Sequence, residues 1–237
     1  MSWTADEMMA IEAARRLRDG TVCLVGIGLP SLAANLARAT HAPKCVLIYE
    51  SGTIGAKPRQ LPLSIGDGEL AETADAVVSV PEMFGYWLQG GRIDVGFLGA
   101  AQIDRYANLN STVIGDYEHP RVRLPGGGGA PEIATQARDV FVMLRHSRRT
   151  FAERVDFVTS VGYRVAVVVT DLGILERDAE TRELTLTRVH RGVDVEHVRE
   201  STAWDLRVGS DVGESEAPTD AELRALRSLT AKGAVAA

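Results

Sequence analysis

The sequence predicts an α/β protein built on an open, largely parallel sheet with helical cover. Three observations carry that expectation. Short apolar runs such as TVCLVGI (21–27), CVLIYE (45–50) and RVAVVVTD (164–171) are nearly continuous rather than alternating, as strands buried on both faces are. Glycine or proline turns follow several of these runs, with helix-like spacing behind them. A length of 237 residues, 45% of them hydrophobic, is enough for one substantial core that needs no cross-link.

Thr4 followed by Glu7 is a capping-box pattern, and Met8, Ile11, Ala14 and Leu17 recur at helical spacing until Gly20, predicting a first helix. TVCLVGI then predicts a strand that ends in Gly26, Gly28 and Pro30, with Ser31 placed to cap a helix through LAANLARAT. CVLIYE is the next strand, followed by a connection punctuated by glycine and proline. DAVVSV (75–80) and IDVGFLG (93–99) are strand candidates on either side of PEMFGYWLQGG, a short helix with Pro81 near its start. Residues 100–131 show little periodicity, and a passage of that length in a compact domain usually serves a site or an interface. DVFVML (139–144), RVAVVVTD and TRELTLTRVH (181–190) supply further strands. The last alternates as a half-exposed strand does, so some antiparallel or mixed pairing is expected. Residues 195–204 predict a short helix. From Gly209 the chain turns polar before a modest helical segment around ELRALRSL. No repeat or linker-like stretch divides the chain.

Composition excludes several function classes. A net charge of −6, from 26 basic against 32 acidic residues, gives no electrostatic case for a nucleic-acid partner. No apolar run approaches the roughly 20 residues that span a bilayer, and MSWTADEMMA lacks the basic and apolar regions of a signal peptide. Cys23 and Cys45, both in apolar strand-like runs, read as reduced core residues, and a cytoplasmic location with no membrane association is expected. The histidines at 41, 119, 146, 190 and 197 form no metal-binding pattern, so no metal is expected. No serine-nucleophile elbow is present, because Ser51 lies in E-S-G.

Five stretches could carry chemistry. VGIGLP (25–30) leaves backbone N–H groups open at a helix start, where an oxyanion can be received, but Ser31 stands where a dinucleotide fingerprint needs its third glycine. A plain structural turn is an equal reading. Glu50 ends an apolar strand, with Ser51-Gly52 and Gly55-Ala56 leaving room for a substrate at the sheet edge where open α/β folds bind ligands. Locally, a solvent-facing glutamate is the commoner occupant of such a place. Asp104, Arg105, Asn108 and Asn110 fit an ordered loop better than a set of catalysts. Gly126, Gly127, Gly128 and Gly129, followed by Ala130, lack the lysine and hydroxyl of a P-loop, yet allow main-chain amides to approach a ligand. Arg145, His146, Arg148 and Arg149 form a basic patch that is either simply solvated or touches an anion or partner.

The order VGIGLP, YESGTIGA, GAAQIDRYANLNST and PGGGGA resembles the second (beta) subunit of the family I CoA-transferases, nearest the group acting on glutaconate and 3-oxoadipate. The likeness runs over about residues 4–208, including HRGVDVEHVRESTAWDL, and implies one beta-subunit domain over 1–208 with a C-terminal tail, 209–237, carrying a short helix. It implies that Glu50 is the catalytic glutamate, that Gly28 contributes a backbone donor near the reacting carbonyl, and that Ser51, Gly52 and Gly126 to Ala130 line the substrate or CoA pocket. Asp104, Arg105 and Asn108 match the family's ordered loop, and Ala107 stands where a glycine is common.

The activity so implied is transfer of coenzyme A from an acyl-CoA, such as succinyl-CoA, to a free carboxylic acid, such as 3-oxoadipate or a related dicarboxylate. It would run through a glutamyl anhydride and a glutamyl-CoA thioester. CoA thioesters are then substrates, and no tightly bound cofactor is implied. The implied partner is a CoA-transferase alpha subunit in an α2β2 assembly. One relative of the architecture hydrolyses a ring-containing CoA ester, so a CoA-ester hydrolase is the first alternative and a non-catalytic subunit the second.

Overall fold

The computed structural model describes residues 2–231, and contacts between residues divide it into two units. The first comprises residues up to Phe97, the short stretch Gln136–Arg138 and the chain from Pro218 onward; the second comprises Leu98–Thr135 and Asp139–Ala217.

In the first unit, helix α1 (Ala5–Arg15) begins with the expected capping box: the Thr4 hydroxyl accepts from Glu7 N, and the Glu7 carboxylate accepts from Thr4 N. Its inner face, including Met8, Met9 and Ile11, is buried. Strand β1 (Val22–Leu24), helix α2 (Leu29–Ala39) and strand β2 (Val46–Ile48) form a parallel β-α-β crossover. Here the expected cap is corrected: Gly28 is the N-cap, Pro30 lies in the first turn, and Ser31 is fully buried inside the helix. β2 turns back into β3 (Thr53–Ile54); α3 (Gly68–Glu72) and β4 (Ala76–Val77) follow. Ser79 caps α4 (Val80–Glu82), which widens into a π-helical stretch, Met83–Gln89, before β5 (Val95–Leu98). β5, β1 and β2 run parallel in that order, and β3 and β4 extend them antiparallel.

The second unit starts where the sequence shows no period. Instead of an irregular passage it holds two small hairpins, β6 (Gln102–Ile103) with β7 (Leu109–Asn110), and β8 (Val113–Gly115) with β9 (Pro120–Arg123). Helix α5 (Ala130–Gln136) leads to β10 (Asp139–Met143), which pairs parallel with β11 (Val165–Val169). β12 (Gly173–Arg177) and β13 (Leu184–Val189) continue antiparallel, α6 (Val195–Glu200) covers the next connection, and β14 (Arg207–Glu214) returns parallel to β13. The α/β class therefore stands, with parallel strands at the heart of a mixed sheet and helical cover.

The chain then rejoins the first unit as α7 (Asp220–Ala231), which packs on α1 and α2 through the buried Leu223 and Leu226. Arg15 grips Glu222 with two hydrogen bonds, of 2.7 and 2.8 Å, and Arg227 pairs with Glu7. Much of the segment expected as a tail is thus folded; Lys232 to Ala237 lie outside the described residues. No helix among the described residues is long and apolar enough to cross a membrane.

Candidate active site

The strand that ends on a glutamate does so because the chain reverses there. Tyr49 N donates to Thr53 O (3.1 Å) and Gly52 N to Tyr49 O (2.9 Å), enclosing the three-residue loop Glu50-Ser51-Gly52. The last loop position is glycine for two reasons. Its φ is +97°, and a Cβ there would overlap the carbonyl oxygen of Val78, whose own N–H donates to Gly52 O (2.9 Å). β4 thus clamps the hairpin from the side, and Glu50 is carried at its tip.

Glu50 is half-buried, and burial pushes its carboxyl above the ordinary glutamate value. Among the described residues it accepts no hydrogen bond and meets no cation. Beside it, the side-chain oxygens of Ser51 and Thr53 are also buried without a partner. Three polar side chains withdrawn from water and left uncommitted in four consecutive positions are unusual in a folded protein, and they leave hydrogen-bonding capacity for a ligand.

The glycine turn lies next to this hairpin. Leu24 is opposite Ile48 in the parallel register, and Val25 N donates to Ile48 O (2.9 Å), so the two turns leave the sheet side by side. Gly28, with φ +76°, starts α2 and supplies no side-chain cap, which leaves first-turn amides of a helix open toward solvent.

Beneath both turns runs a buried polar network that sequence reasoning missed. Ser31 Oγ lies 2.9 Å from the Tyr49 hydroxyl, and Asn35 Nδ2 donates to Ser31 O (2.9 Å) and lies 3.4 Å from the Tyr49 hydroxyl. Arg38 Nη2 then donates to Asn35 Oδ1 (3.2 Å). The signal was present as Ser, Asn and Arg at positions 31, 35 and 38, one helical face, but only the neighbouring Tyr49 reveals their purpose. They tie the start of α2 to the residue preceding Glu50.

The remaining expected site residues belong to the second unit. Asp104 Oδ1 accepts from the backbones of Tyr106 and Asn108 (2.9 Å each), its Oδ2 accepts from Asn108 Nδ2, and Asn108 Oδ1 accepts from Gly162 N. Ala107, inside this turn, is fully buried with φ +62°. Arg105 faces Glu183 at 3.9 Å while its carbonyl accepts from Leu184 N. In the glycine run, Gly126 and Gly128 have positive φ; Gly126 exchanges hydrogen bonds with Ser111, and Gly127 and Gly129 accept from the first turn of α5 at Ala130 and Ile133. No group of three His, Cys, Asp or Glu side chains among the described residues could hold a metal ion.

The family model described as Coenzyme A transferase matches residues 7–201. The chain is 56% identical over 250 residues to the beta subunit of 3-oxoadipate CoA-transferase from Pseudomonas knackmussii, covering 99% of this chain and 96% of that protein. It is 35% identical over 246 residues to the beta subunit of glutaconate CoA-transferase from Acidaminococcus fermentans, covering 95% and 92%. The crystal structure of glutaconate CoA-transferase from the same organism superposes with a TM-score of 0.91 at 34% identity, over 99% of this chain and 97% of that one.

Proposed function

The chain belongs to the coenzyme A transferase family, as the beta subunit of a two-subunit enzyme that moves CoA between an acyl-CoA and a carboxylic acid, and from that membership we propose that Glu50 is its covalent nucleophile. The observation that carries this reading is the uncommitted, half-buried carboxyl group at the hairpin tip. Poor solvation raises the energy of the ionised form and strengthens it as a nucleophile.

One Glu50 carboxylate oxygen attacks the thioester carbonyl carbon, and the tetrahedral oxyanion collapses by expelling the CoA thiolate, leaving an acyl-glutamyl anhydride. The thiolate then attacks the glutamyl carbonyl. The donor acid leaves as its carboxylate, and Glu50 becomes a CoA thioester. An acceptor carboxylate attacks that thioester, regenerates the thiolate and forms a second anhydride; thiolate attack on the acceptor's acyl carbon releases the new acyl-CoA and restores Glu50. No bond energy is lost to water at any stage, so the cycle runs without a nucleotide triphosphate.

Each oxyanion needs donors, and the open amides at Gly28 and the first turn of α2 suit that role. One such donor contributes about 3 kcal/mol to the barrier. The hydroxyls of Ser51 and Thr53 fit as orienting groups beside Glu50, Gly52 sets the loop's close turn, and Gly126 to Ala130 offers backbone to the bound thioester. Asp104, Arg105 and Asn108 hold their own loop in shape. High identity to a 3-oxoadipate enzyme over nearly the whole chain supports 3-oxoadipate as acceptor, succinyl-CoA as donor, and an α2β2 assembly with the alpha subunit.

The test is turnover by the beta chain co-expressed with its alpha subunit. Succinyl-CoA offered with 3-oxoadipate, glutaconate or acetate should give the highest kcat/KM with 3-oxoadipate. Equal rates with acetate would overturn the dicarboxylate assignment, and CoA release without any acceptor would indicate a hydrolase.

A further inference from the structure

The basic patch between Arg145 and Arg149 has no part in the reaction above. It divides in the structure: His146 is buried, while Arg148 and Arg149 line an open recess of about 600 Å³ in the second unit. Two arginines from elsewhere in the sequence join them, Arg121 from β9 and Arg154 from the connection after β10. Among the described residues Arg121, Arg149 and Arg154 make no hydrogen bond or ion pair, and Arg148 reaches only the Glu200 carbonyl, at 3.4 Å. The single carboxylate on the wall, Asp156, is committed elsewhere: its Oδ2 accepts from Gly115 N (2.8 Å) and Gln102 Nε2 (3.3 Å). Four guanidinium groups therefore face one cavity with no counter-charge assigned to three of them, in a chain whose net charge is −6. Ile114 and Leu124 give the same recess an apolar wall.

Like charges gathered without partners repel one another, and the arrangement is stabilised when an anion enters. Guanidinium forks match phosphate oxygens in geometry, and a volume near 600 Å³ is that of a site for a nucleotide-sized ligand. The recess also follows the carboxyl end of β10, the edge at which open α/β sheets take ligands. We propose that this arginine recess is a phosphate site that receives the nucleotide 3′- and 5′-phosphates of the CoA substrate. The apolar wall then meets the adenine ring. The assignment of CoA as the ligand rests on the transferase reading; the recess as a phosphate site does not.

The experiment measures calorimetric binding of adenosine 3′,5′-bisphosphate to the co-expressed two-subunit complex, and needs no turnover. The double variant Arg149→Gln/Arg154→Gln should bind at least tenfold more weakly than wild type. Arg224→Gln, which removes the same kind of charge from the exposed face of α7, should bind as wild type does. Both altered arginines are exposed and unpartnered, so the fold should tolerate their loss. Inorganic phosphate should compete weakly for the same site; phosphate binding as tightly as the bisphosphate would overturn the nucleotide assignment. Equal affinity of wild type and double variant would overturn the proposal, as would loss of the alpha subunit from the purified double variant, which would make the recess a subunit contact. A CoA adduct forming on Glu50 alongside either negative result would show that the transferase reading survives without this site.

Discussion

A carboxyl group half-withdrawn from water, with no cation or N–H beside it, resists ionisation, and Glu50 carries that penalty at the tip of its hairpin. Its raised folded-state pKa means that the folded protein holds the proton more tightly than the unfolded chain does. Stability from this group is complete below the ordinary glutamate value and is lost as pH rises through the higher folded value. Glu50→Gln should therefore melt at a higher temperature than wild type at pH 7, and the gap should close as the pH falls below the ordinary glutamate value of 4.5. The same shift moves the acid limb of the pH–rate profile upward, because only the carboxylate attacks. Two backbone positions add a contrast. Gly52→Ala forces a side chain into the Val78 carbonyl at a positive φ, and should cost about 2 kcal/mol or more in chemical denaturation and most of the activity. Ala107 already carries the strain of a left-handed conformation, about 1–2 kcal/mol for a residue with a Cβ. Relief of it offsets the roughly 0.5–1 kcal/mol that added glycine freedom usually costs, so Ala107→Gly should leave stability unchanged or slightly raised.

At the scale of elements, α7 is held by burial and by charge at once. Leu226→Ala should cost roughly 2–5 kcal/mol, read from the denaturation midpoint, because the side chain is 2% exposed between helices. His146 pins the segment after β10. It stacks on Phe151 at 3.6 Å between ring centres, and its Nε2 lies 2.9 Å from the Thr202 hydroxyl at the end of α6. Burial lowers its pKa to about 4 from 6.5. The folded state holds this ring neutral, so the stabilisation is complete above pH 6.5 and drains away as the pH falls toward 4, by about 3 kcal/mol in all. His146→Gln should flatten that part of the stability–pH curve. These elements also show what a sequence displays and what it hides. The capping box of α1 and the apolar runs of β1, β2, β10 and β11 are local patterns, and they were legible. β14 is polar and mostly exposed, and only its pairing with β13 makes it a strand. The hairpins β6–β7 and β8–β9 have strands of two to four residues, too short to display a period. Ser31 looked like a cap because the residue type suits one; its partner, Tyr49, is distant in sequence.

For the whole molecule, the parallel heart of the sheet brings two turns out side by side in the first unit, and family membership gives that place its chemistry. Local patterns left Glu50 undecided between a solvated turn and a nucleophile. The order of weak motifs along the chain pointed to the second reading, and three-dimensional structure adds what no motif carries: partial burial, the absence of a partner, and a hairpin that only glycine can close. Incubating the co-expressed two-subunit enzyme with succinyl-CoA alone, then measuring the intact mass of this chain with and without borohydride, tests the central claim most directly. The account predicts a gain of one CoA less one water, located on the peptide containing Glu50, removed by borohydride reduction and missing from Glu50→Ala. An unmodified chain that still transfers CoA, or an adduct that persists in Glu50→Ala, would contradict it.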